Sequence, residues 1–280
     1  GERLVGGCAV LERRRAGIPM AVMPLLTPYG GYLLPPVPEG ERSGPLGSRE
    51  RDILTALAGW MGERFRRESL VTAPGLTDPR CLAEAGYRVT PRFTFEIDLR
   101  LPEGELWDRL DGHVRRQVKK GERAGLELCR PSAEEAYGLF RRTFERRGGR
   151  CPVPQALFEA VYAGEVLEPF REVTAVHHEG RLASLLVLLR FGATLYYAAA
   201  STAPEAMATG ASSWLIWQTL ARHAGGTHGC TTFDFVGANI PSIARFKEGF
   251  NPALVTHWRL ERTRGLLGRA LNAAAGLRAR

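Results

Sequence analysis

Residues 179–200 read EGRLASLLVLLRFGATLYYAAA, and this stretch decides the fold class. A polar turn precedes an apolar run that starts at Arg181, and Gly192-Ala193 separates it from a second apolar run. Two apolar runs joined by a short glycine-containing turn are typical of a β-hairpin. Helical patterns lie on both sides of this hairpin along the chain, and alternating strands and helices predict a mixed α/β protein.

The same reasoning, worked outward from the hairpin, predicts the other elements. Helical spacing of apolar residues predicts helices at 49–67, 105–121, 134–147, 155–163, 212–224 and 264–277. Strands are predicted at 4–11, 18–23, 93–99, 172–178, 231–235 and 254–260. A kink is expected at Asp111-Gly112, inside the second helix. The stretch from Asn239 to Lys247 contains Pro241 and is interpreted as a loop at a sheet edge.

An internal repeat suggests two related halves. Arg3-Leu4-Val5 and Arg181-Leu182-Ala183 each open an apolar strand that is followed by a short turn and a second strand. The offset, 181 minus 3, is 178 residues, which fits a duplicated domain. Two unrelated amphipathic hairpins would also look alike, so that alternative stays open. We expect domains at 1–98 and 99–258, then a basic C-terminal helix at 259–280.

Composition excludes several classes of protein. With 280 residues and 44% hydrophobic content the chain is globular, and no apolar run approaches the roughly 20 residues of a membrane span. The five cysteines form no Cys-x-x-Cys pair, which argues against a disulfide framework or a structural zinc site. The histidines at 177, 178, 223, 228 and 257 show no ligand spacing, so no metal is expected. No signal peptide is visible, and we expect a reduced, cytoplasmic location.

The charge of the chain favours a partner that bears phosphate. The net charge is +8 and the isoelectric point about 9.6, and a basic surface attracts phosphate groups. A genome that prefers arginine over lysine would give the same net charge without any such partner. Arg115, Lys119 and Arg123 share one face of the predicted basic helix, where they either follow an RNA or nucleotide phosphate or form a solvated surface. The basic C-terminus is a candidate for peripheral membrane contact.

One segment carries a family resemblance. Residues 233–250 read FDFVGANIPSIARFKEGF, which resembles the end of the second domain of FemABX-like proteins, tandem transferases of the GNAT fold. Shorter pieces agree: RRQVKK at 115–120 resembles the family's basic helix, RGGRCPV at 147–153 its substrate loop, and YYAAAS at 196–201 its strand under the acyl site. The resemblance covers roughly residues 70–258. It implies two GNAT-like domains in tandem, the first incomplete at its N-terminus.

The resemblance also implies a reaction. An amine on an acceptor, a cell-wall or polysaccharide precursor, attacks the carbonyl of an aminoacyl-tRNA ester or an acetyl-CoA thioester, and no cofactor is tightly bound. Backbone N–H groups beside a strand bulge, together with nearby cations, hold the oxyanion, and proximity in an interdomain cleft adds to the rate. Two alternatives remain: an acetyl-CoA-dependent N-acetyltransferase acting on a nucleotide sugar or glycan, and a non-catalytic RNA- or glycan-binding module.

Two residues are the catalytic candidates. Lys247 belongs to the Arg-Phe-Lys triplet that resembles the family's functional triplet, and it is expected to neutralise a donor phosphate or the oxyanion in the cleft. Asp234, between two phenylalanines on a strand, orients the amine or forms a buried ion pair with a cation such as Arg245. The candidate substrate-binding residues are Tyr29, Gly30, Arg115, Arg150, Tyr197, Asn239, Arg245 and Phe246.

The donor loop departs from the usual GNAT pattern. Many GNAT domains that use CoA carry a glycine-rich loop with a cation, whose backbone N–H groups bind the pyrophosphate. The nearest match is Met207-Ala208-Thr209-Gly210-Ala211-Ser212, which has one glycine and a methionine where the cation stands. Gly210 and Ser212 are therefore the cofactor-binding candidates, and CoA is expected to bind weakly.

Overall fold

A computed structural model describes residues 4–34, 47–146 and 148–265. Its strands are β1 (Gly7–Ala9), β2 (Leu11–Arg15), β3 (Ile18–Val22), β4 (Gly31–Leu33), β5 (Arg67–Val71), β6 (Arg88–Asp98), β7 (Glu127–Cys129), β8 (Arg171–His178), β9 (Arg181–Phe191), β10 (Thr194–Thr202), β11 (Thr232–Asp234) and β12 (Ala253–Thr263). Its α-helices are α1 (Ser48–Arg64), α2 (Arg80–Glu84), α3 (Glu103–Arg109), α4 (Gly112–Arg123), α5 (Ala133–Glu145), α6 (Gln155–Ala163), α7 (Ala211–His223) and α8 (Pro241–Glu248). The predicted mixed α/β class is confirmed. None of the described helices is long and apolar enough to cross a membrane.

The described chain forms two compact units. The first comprises the residues up to Phe93 and those from Thr256 onward, and the second comprises Thr94–Val255. In the first unit the strand order is β2-β3-β5-β12, and a separate pair joins β1 to β4. The hairpin β2–β3 is antiparallel, β3 and β5 are parallel, and β5 and β12 are antiparallel.

The second unit repeats this pattern of strand directions. Its order is β6-β11-β10-β9-β8-β7. The hairpin β9–β10 is antiparallel, β10 and β11 are parallel, and β11 and β6 are antiparallel. Helix α7 buries one face, with Leu215, Ile216 and Leu220 almost fully covered, and α5 buries Leu139 and Phe140. The same three pairings in both units agree with the internal repeat that the sequence suggests.

The repeated hairpin is present, but its first strand lies elsewhere than predicted. The expected strand 4–11 is replaced by β1 at Gly7–Ala9, which pairs with β4, and the strand that pairs with β3 is β2 at Leu11–Arg15. Four of the five residues of β2 are exposed. Charged side chains are common on edge strands. The charged residues of β2 therefore have the sequence pattern of a polar turn although they form a strand.

The predicted helix 105–121 is two helices. Helix α3 ends at Arg109 and α4 begins at Gly112, and the backbone at Leu110 is extended. The carboxylate of Asp111 accepts a hydrogen bond from the N–H of Val114 at 2.7 Å, which caps α4. The expected kink at Asp111-Gly112 is therefore a complete break.

Two further predictions are corrected. The stretch before Lys247 is helix α8, not a loop, because Pro241 occupies the first helical position, where its missing N–H costs nothing. Residues 259–263 belong to β12 and not to a C-terminal helix. The rest of that predicted basic helix, from residue 266, lies outside the described residues, and so does the membrane contact assigned to it.

Candidate active site

The second unit opens where β10 and β11 part. The two parallel strands pair only over Thr194–Tyr196 and Thr232–Asp234. Strand β11 ends there, while β10 continues to Thr202. The edge of β10 that faced β11 is thus released from its neighbour after Tyr196. A gap between parting parallel strands exposes backbone N–H and C=O groups that can bind an extended ligand.

A bulge lies at the point where the strands part. The pairing of β10 with β9 shifts between Tyr197, which is opposite Leu188, and Ala199, which is opposite Val187. Ala198 falls between the two registers. Bulges re-aim backbone groups and are frequent beside active sites. The strand bulge expected next to the reacting carbonyl is present at this position in YYAAAS.

Three ionisable side chains form a row across neighbouring strands. Asp234 on β11 is opposite Glu96 on β6 and beside Tyr196 on β10, so the three side chains share one face of the sheet. Burial, and then the negative charge of Asp234, raises the pKa of Glu96 to about 7. Burial and the charges of Asp234 and Glu96 also raise the pKa of Tyr196. A carboxyl group with a pKa near 7 is suited to accept a proton at neutral pH.

Asp234 organises the turn that follows β11. It is fully buried and accepts hydrogen bonds from the hydroxyl of Thr94 and, at 2.7 Å, from the N–H of Val236. The hydroxyl of Thr94 also accepts a hydrogen bond from the N–H of Gly237 at 2.9 Å. Val236 has φ +51°, a left-handed conformation that is rare for a β-branched residue. Such strain persists where surrounding bonds enforce it, and it concentrates at functional sites.

Lys247 holds the same turn from helix α8. Its side chain is 4% exposed, and Nζ donates hydrogen bonds of 2.8 Å to the backbone carbonyls of Phe235 and Gly237. Nζ also lies 5.4 Å from the ring centroid of Tyr197. Burial, opposed by the charge of Asp234, lowers the pKa of Lys247 to about 8. An ammonium group has three N–H donors, so two carbonyls leave one for a ligand or for the Tyr197 ring.

The aromatic side chains lie on the face opposite Asp234. Phe233 and Phe235 have ring centroids 5.0 Å apart, and the ring of Tyr197 lies 5.8 Å from that of Phe235. Strand alternation predicts this separation of Asp234 from both phenylalanines, and the structure confirms it. Phe246, a substrate-binding candidate, packs against Phe250 with the ring centroids 5.7 Å apart.

The candidate donor loop connects β10 to α7. A short 3-10 turn, Pro204–Thr209, leads to Gly210, which is left-handed with φ +84° at the N-cap of α7. The hydroxyl of Thr209 accepts a hydrogen bond from the N–H of Ala211 at 3.2 Å, so the protein itself occupies one of the N–H groups at the helix start. Ser212 is half-buried in the first turn. A guanidinium N–H of Arg146 lies 3.3 Å from the sulfur of Met207, so a cation stands beside the loop.

Packing explains why residue 210 is glycine. A Cβ atom there would lie 2.2 Å from the carbonyl oxygen of Gln117 on α4. We expect Gly210→Ala to lower the free energy of unfolding by at least about 1–2 kcal/mol, the cost of the left-handed conformation alone. Chemical denaturation measures the change. Gly125→Ala is the matched control for conformation without the clash, because Gly125 has φ +65° and a Cβ added there would meet no atom within 4 Å. Equal losses in the two variants would contradict the packing explanation.

The other candidates are distributed over both units. Tyr29 and Gly30 belong to the first unit, where the ring of Tyr29 lies 5.1 Å from that of His257 and the N–H of Gly30 donates to the carbonyl of Val71. In the second unit Arg115 on α4 is half-buried, Arg150 and Arg245 are exposed, and Asn239 is half-buried in the turn before α8.

The structure therefore groups Asp234, Lys247, Tyr197 and Asn239 around one turn. Arg147, in the predicted substrate loop, lies outside the described residues.

Three residues of this region were missed from the sequence. Glu96 and Thr94 alternate with phenylalanines on β6, and that polar alternation was the available signal. Arg146 has no comparable signal, because it follows the last turn of a helix among several other arginines. Among the described residues no group of three His, Cys, Asp or Glu side chains is placed to hold a metal ion.

Comparison with known proteins gives this geometry a family. The family model for the acetyltransferase (GNAT) domain matches residues 109–248, half of the chain. The chain belongs to the GNAT acetyltransferase family. It is therefore an acyltransferase family member, and the matched range contains the bulge, the donor loop, Asp234 and Lys247. No curated protein sequence matches it significantly.

Solved structures share the fold at low identity. FemX aligns with TM-score 0.64 and 14% identity over 96% of this chain and 90% of its own. The C-terminal domain of an Agrobacterium fabrum protein assigned as a lysylphosphatidylglycerol synthetase aligns with TM-score 0.56 and 17% identity over 82% and 79%. A tandem GNAT protein of the clavulanic acid biosynthesis pathway aligns with TM-score 0.52 and 15% identity over 93% and 79%. The predicted FemABX-like, tandem GNAT resemblance is thus confirmed for the fold.

Proposed function

We propose that this protein transfers an aminoacyl group from an ester donor to an amine on a cell-wall or polysaccharide precursor. The observation that carries the proposal is the parting of β10 and β11 beside a bulge, with Glu96, Asp234 and Lys247 around it. The gap receives the acyl chain, and the ionisable groups serve the chemistry. The GNAT family supplies the acyl-transfer class.

The reaction follows from the charges at this site. The acceptor amine attacks the donor carbonyl, a C–N bond forms, and negative charge develops on the carbonyl oxygen. Backbone N–H groups at the Tyr197–Ala199 bulge stabilise that charge, as preorganised donors do in other acyl transfers. Glu96 accepts the proton that the amine loses, because its pKa is near 7. The C–O bond then breaks, and the leaving alkoxide oxygen takes that proton from Glu96, which returns Glu96 to its ionised form.

Three observations favour an aminoacyl-tRNA donor over acetyl-CoA. Thr209 occupies the N–H of Ala211, Met207 stands where a loop cation is usual, and the chain carries a net charge of +8 that suits RNA. The acetyl-CoA alternative has its own support in the family description and in Arg146, which places a cation beside the loop. The proteins that share the fold include FemX and a protein assigned as a lysylphosphatidylglycerol synthetase, which supports an acceptor of the cell envelope.

A donor competition tests the proposal. The protein is incubated with acceptor amines and either radiolabelled aminoacyl-tRNA or acetyl-CoA, and product is counted after mild alkaline hydrolysis. Esters and thioesters are cleaved under those conditions, whereas an amide product survives. Amide formed only from aminoacyl-tRNA supports the proposal, and amide formed only from acetyl-CoA replaces it with the N-acetyltransferase. Binding of RNA or glycan with no turnover from either donor would identify a non-catalytic module.

Acetyl-CoA is expected to bind weakly, with Kd above about 100 μM, or less than about 5.5 kcal/mol of binding free energy. The reason is the loop at 207–212, which has one glycine and has an N–H group already bonded to Thr209. Isothermal titration calorimetry measures the affinity. The matched control is Thr209→Val, which frees the N–H of Ala211 and should tighten binding. A low-micromolar Kd for the parent protein would contradict the expectation and favour the acetyl-CoA donor.

A further inference from the structure

A cavity lies in the second unit at the C-terminal end of α7, away from the candidate donor loop. Its volume is about 360 Å³, within the range of small-molecule sites. Gly210 starts α7 and His223 ends it, and a helix of 13 residues spans about 20 Å, so this cavity is separate from the donor loop. Its lining residues are Pro169, Phe170, Arg171, Glu172, Arg190 and Leu195, with Arg222, His223 and His228 from the end of α7 and the turn after it.

The cavity carries excess positive charge. Three arginines line it against a single carboxylate, Glu172, which leaves two uncompensated positive charges before the histidines are counted. Glu172 accepts a hydrogen bond of 2.7 Å from Arg222 and pairs at 2.8 Å with Nε2 of His223. Burial opposes its ionisation, but the contacts with His223 and Arg222 outweigh burial and lower the pKa of Glu172. Its charge is therefore committed to those two partners.

The cationic side chains keep donors for a ligand. Arg190 donates one N–H to the carbonyl of His228 at 2.9 Å, and Arg222 donates one to Glu172. A guanidinium has five N–H donors in a planar fork that matches carboxylate and phosphate oxygens. His228 has φ +56° and its ring lies 5.3 Å from that of His223, so this wall of the cavity is a strained turn held by side-chain contacts.

One buried polar atom points to a missing partner. His223 is 3% exposed, and its Nδ1 atom has no hydrogen-bond partner in the part of the chain that the structure describes. Buried polar atoms without a partner are rare, and they mark places where a water, an ion or a ligand atom belongs. At the rim, Phe170 is 51% exposed beside Pro169, which provides an apolar surface next to the cations.

We propose that this cavity binds a small dianion with an apolar group, its charged end between Arg190 and Arg222 and its apolar part on Phe170. The excess of two positive charges sets the charge of the ligand, and the arginine forks favour an oxyanion such as a phosphomonoester or a dicarboxylate. The volume accommodates about one ring in addition to the charged group. This site is independent of the acyl-transfer site, so it stands or falls separately from the proposed function.

Calorimetric titration of the full chain with phenyl phosphate, phthalate and inorganic phosphate tests the proposal. Phenyl phosphate or phthalate should bind more tightly than inorganic phosphate. Whichever of these two aromatic ligands has the lower Kd shows whether the site prefers a phosphomonoester or a dicarboxylate. Arg190→Gln and Arg222→Gln should each raise Kd about tenfold or more, because each removes charged hydrogen bonds. Phe170→Ala should weaken phenyl phosphate and leave inorganic phosphate unchanged.

The controls separate binding from folding. Arg181→Gln is the matched variant, since Arg181 is exposed at the other end of β9, and it should change Kd less than twofold. Arg190→Lys retains the charge without the planar fork of N–H donors, so its Kd should lie between those of the parent and of Arg190→Gln. Thermal melts confirm that each variant is folded. The proposal is overturned if neither aromatic dianion binds at millimolar concentration, if Arg181→Gln weakens binding as much as Arg190→Gln, or if only RNA binds.

Discussion

Replacing Lys247 with methionine is expected to lower kcat/KM for acyl transfer by roughly 10² to 10³. The buried ammonium holds the carbonyls of Phe235 and Gly237 and keeps one N–H for a donor phosphate or the developing oxyanion. Methionine fills a similar volume without a charge, so the loss reports the ammonium more than a cavity. Steady-state kinetics with saturating acceptor measure the change.

The burial of Lys247 adds a structural cost that the experiment must separate. Without the ammonium, two buried carbonyls lose a partner, at about 1–3 kcal/mol each, so the melting temperature should fall as well. Activity is therefore compared well below both melting temperatures, with near-ultraviolet circular dichroism to confirm packing. Lys247→Arg should rescue poorly, since a planar fork cannot occupy the point of an ammonium. Glu248→Gln, exposed on the same helix, is the control. Folded Lys247→Met with activity within about threefold of the parent would refute the role.

Periodicity in the sequence predicted most of the second unit because that unit's elements are long and regular. Strand β9 has six consecutive buried residues, and its apolar pattern predicts the hairpin with β10. The short strands β4 and β7 were missed, since three residues carry no period. The sequence interpretation makes 239–247 a loop, whereas the structure shows helix α8 from Pro241, because proline is favoured at the first position of a helix.

The sequence predicts only those members of the candidate site that stand out by residue type or by the family pattern. Asp234 and Lys247 stand out because a carboxylate and an ammonium lie within apolar surroundings in the quoted segment. Glu96 is 138 residues earlier in the chain than Asp234, and only the pairing of β6 with β11 brings it opposite. The raised pKa of Glu96 depends on that pairing and on burial, and neither can be derived from local sequence.

The pH dependence of the rate is expected to be bell-shaped, with a maximum between about 7 and about 8. Glu96 must be ionised to accept a proton, and burial and then Asp234 raise its pKa to about 7, so the rate should fall as the pH drops below 7. Lys247 must be charged to stabilise an anion, and burial lowers its pKa to about 8, so the rate should fall again above 8. Each limb thus belongs to a named residue.

Glu96→Gln should lower kcat by about 10² to 10⁴ and abolish the acidic limb of the profile, because glutamine cannot accept the proton. The profile is measured with a weakly basic acceptor amine that stays unprotonated over the range, so that its own titration adds no limb. Asp98→Asn is the matched control: Asp98 lies two residues further along β6 and pairs with Arg100 at the surface at 2.9 Å. That variant should keep both limbs. An acidic limb near 7 that persists in Glu96→Gln would show that the proton goes to a group other than Glu96 and would refute its role.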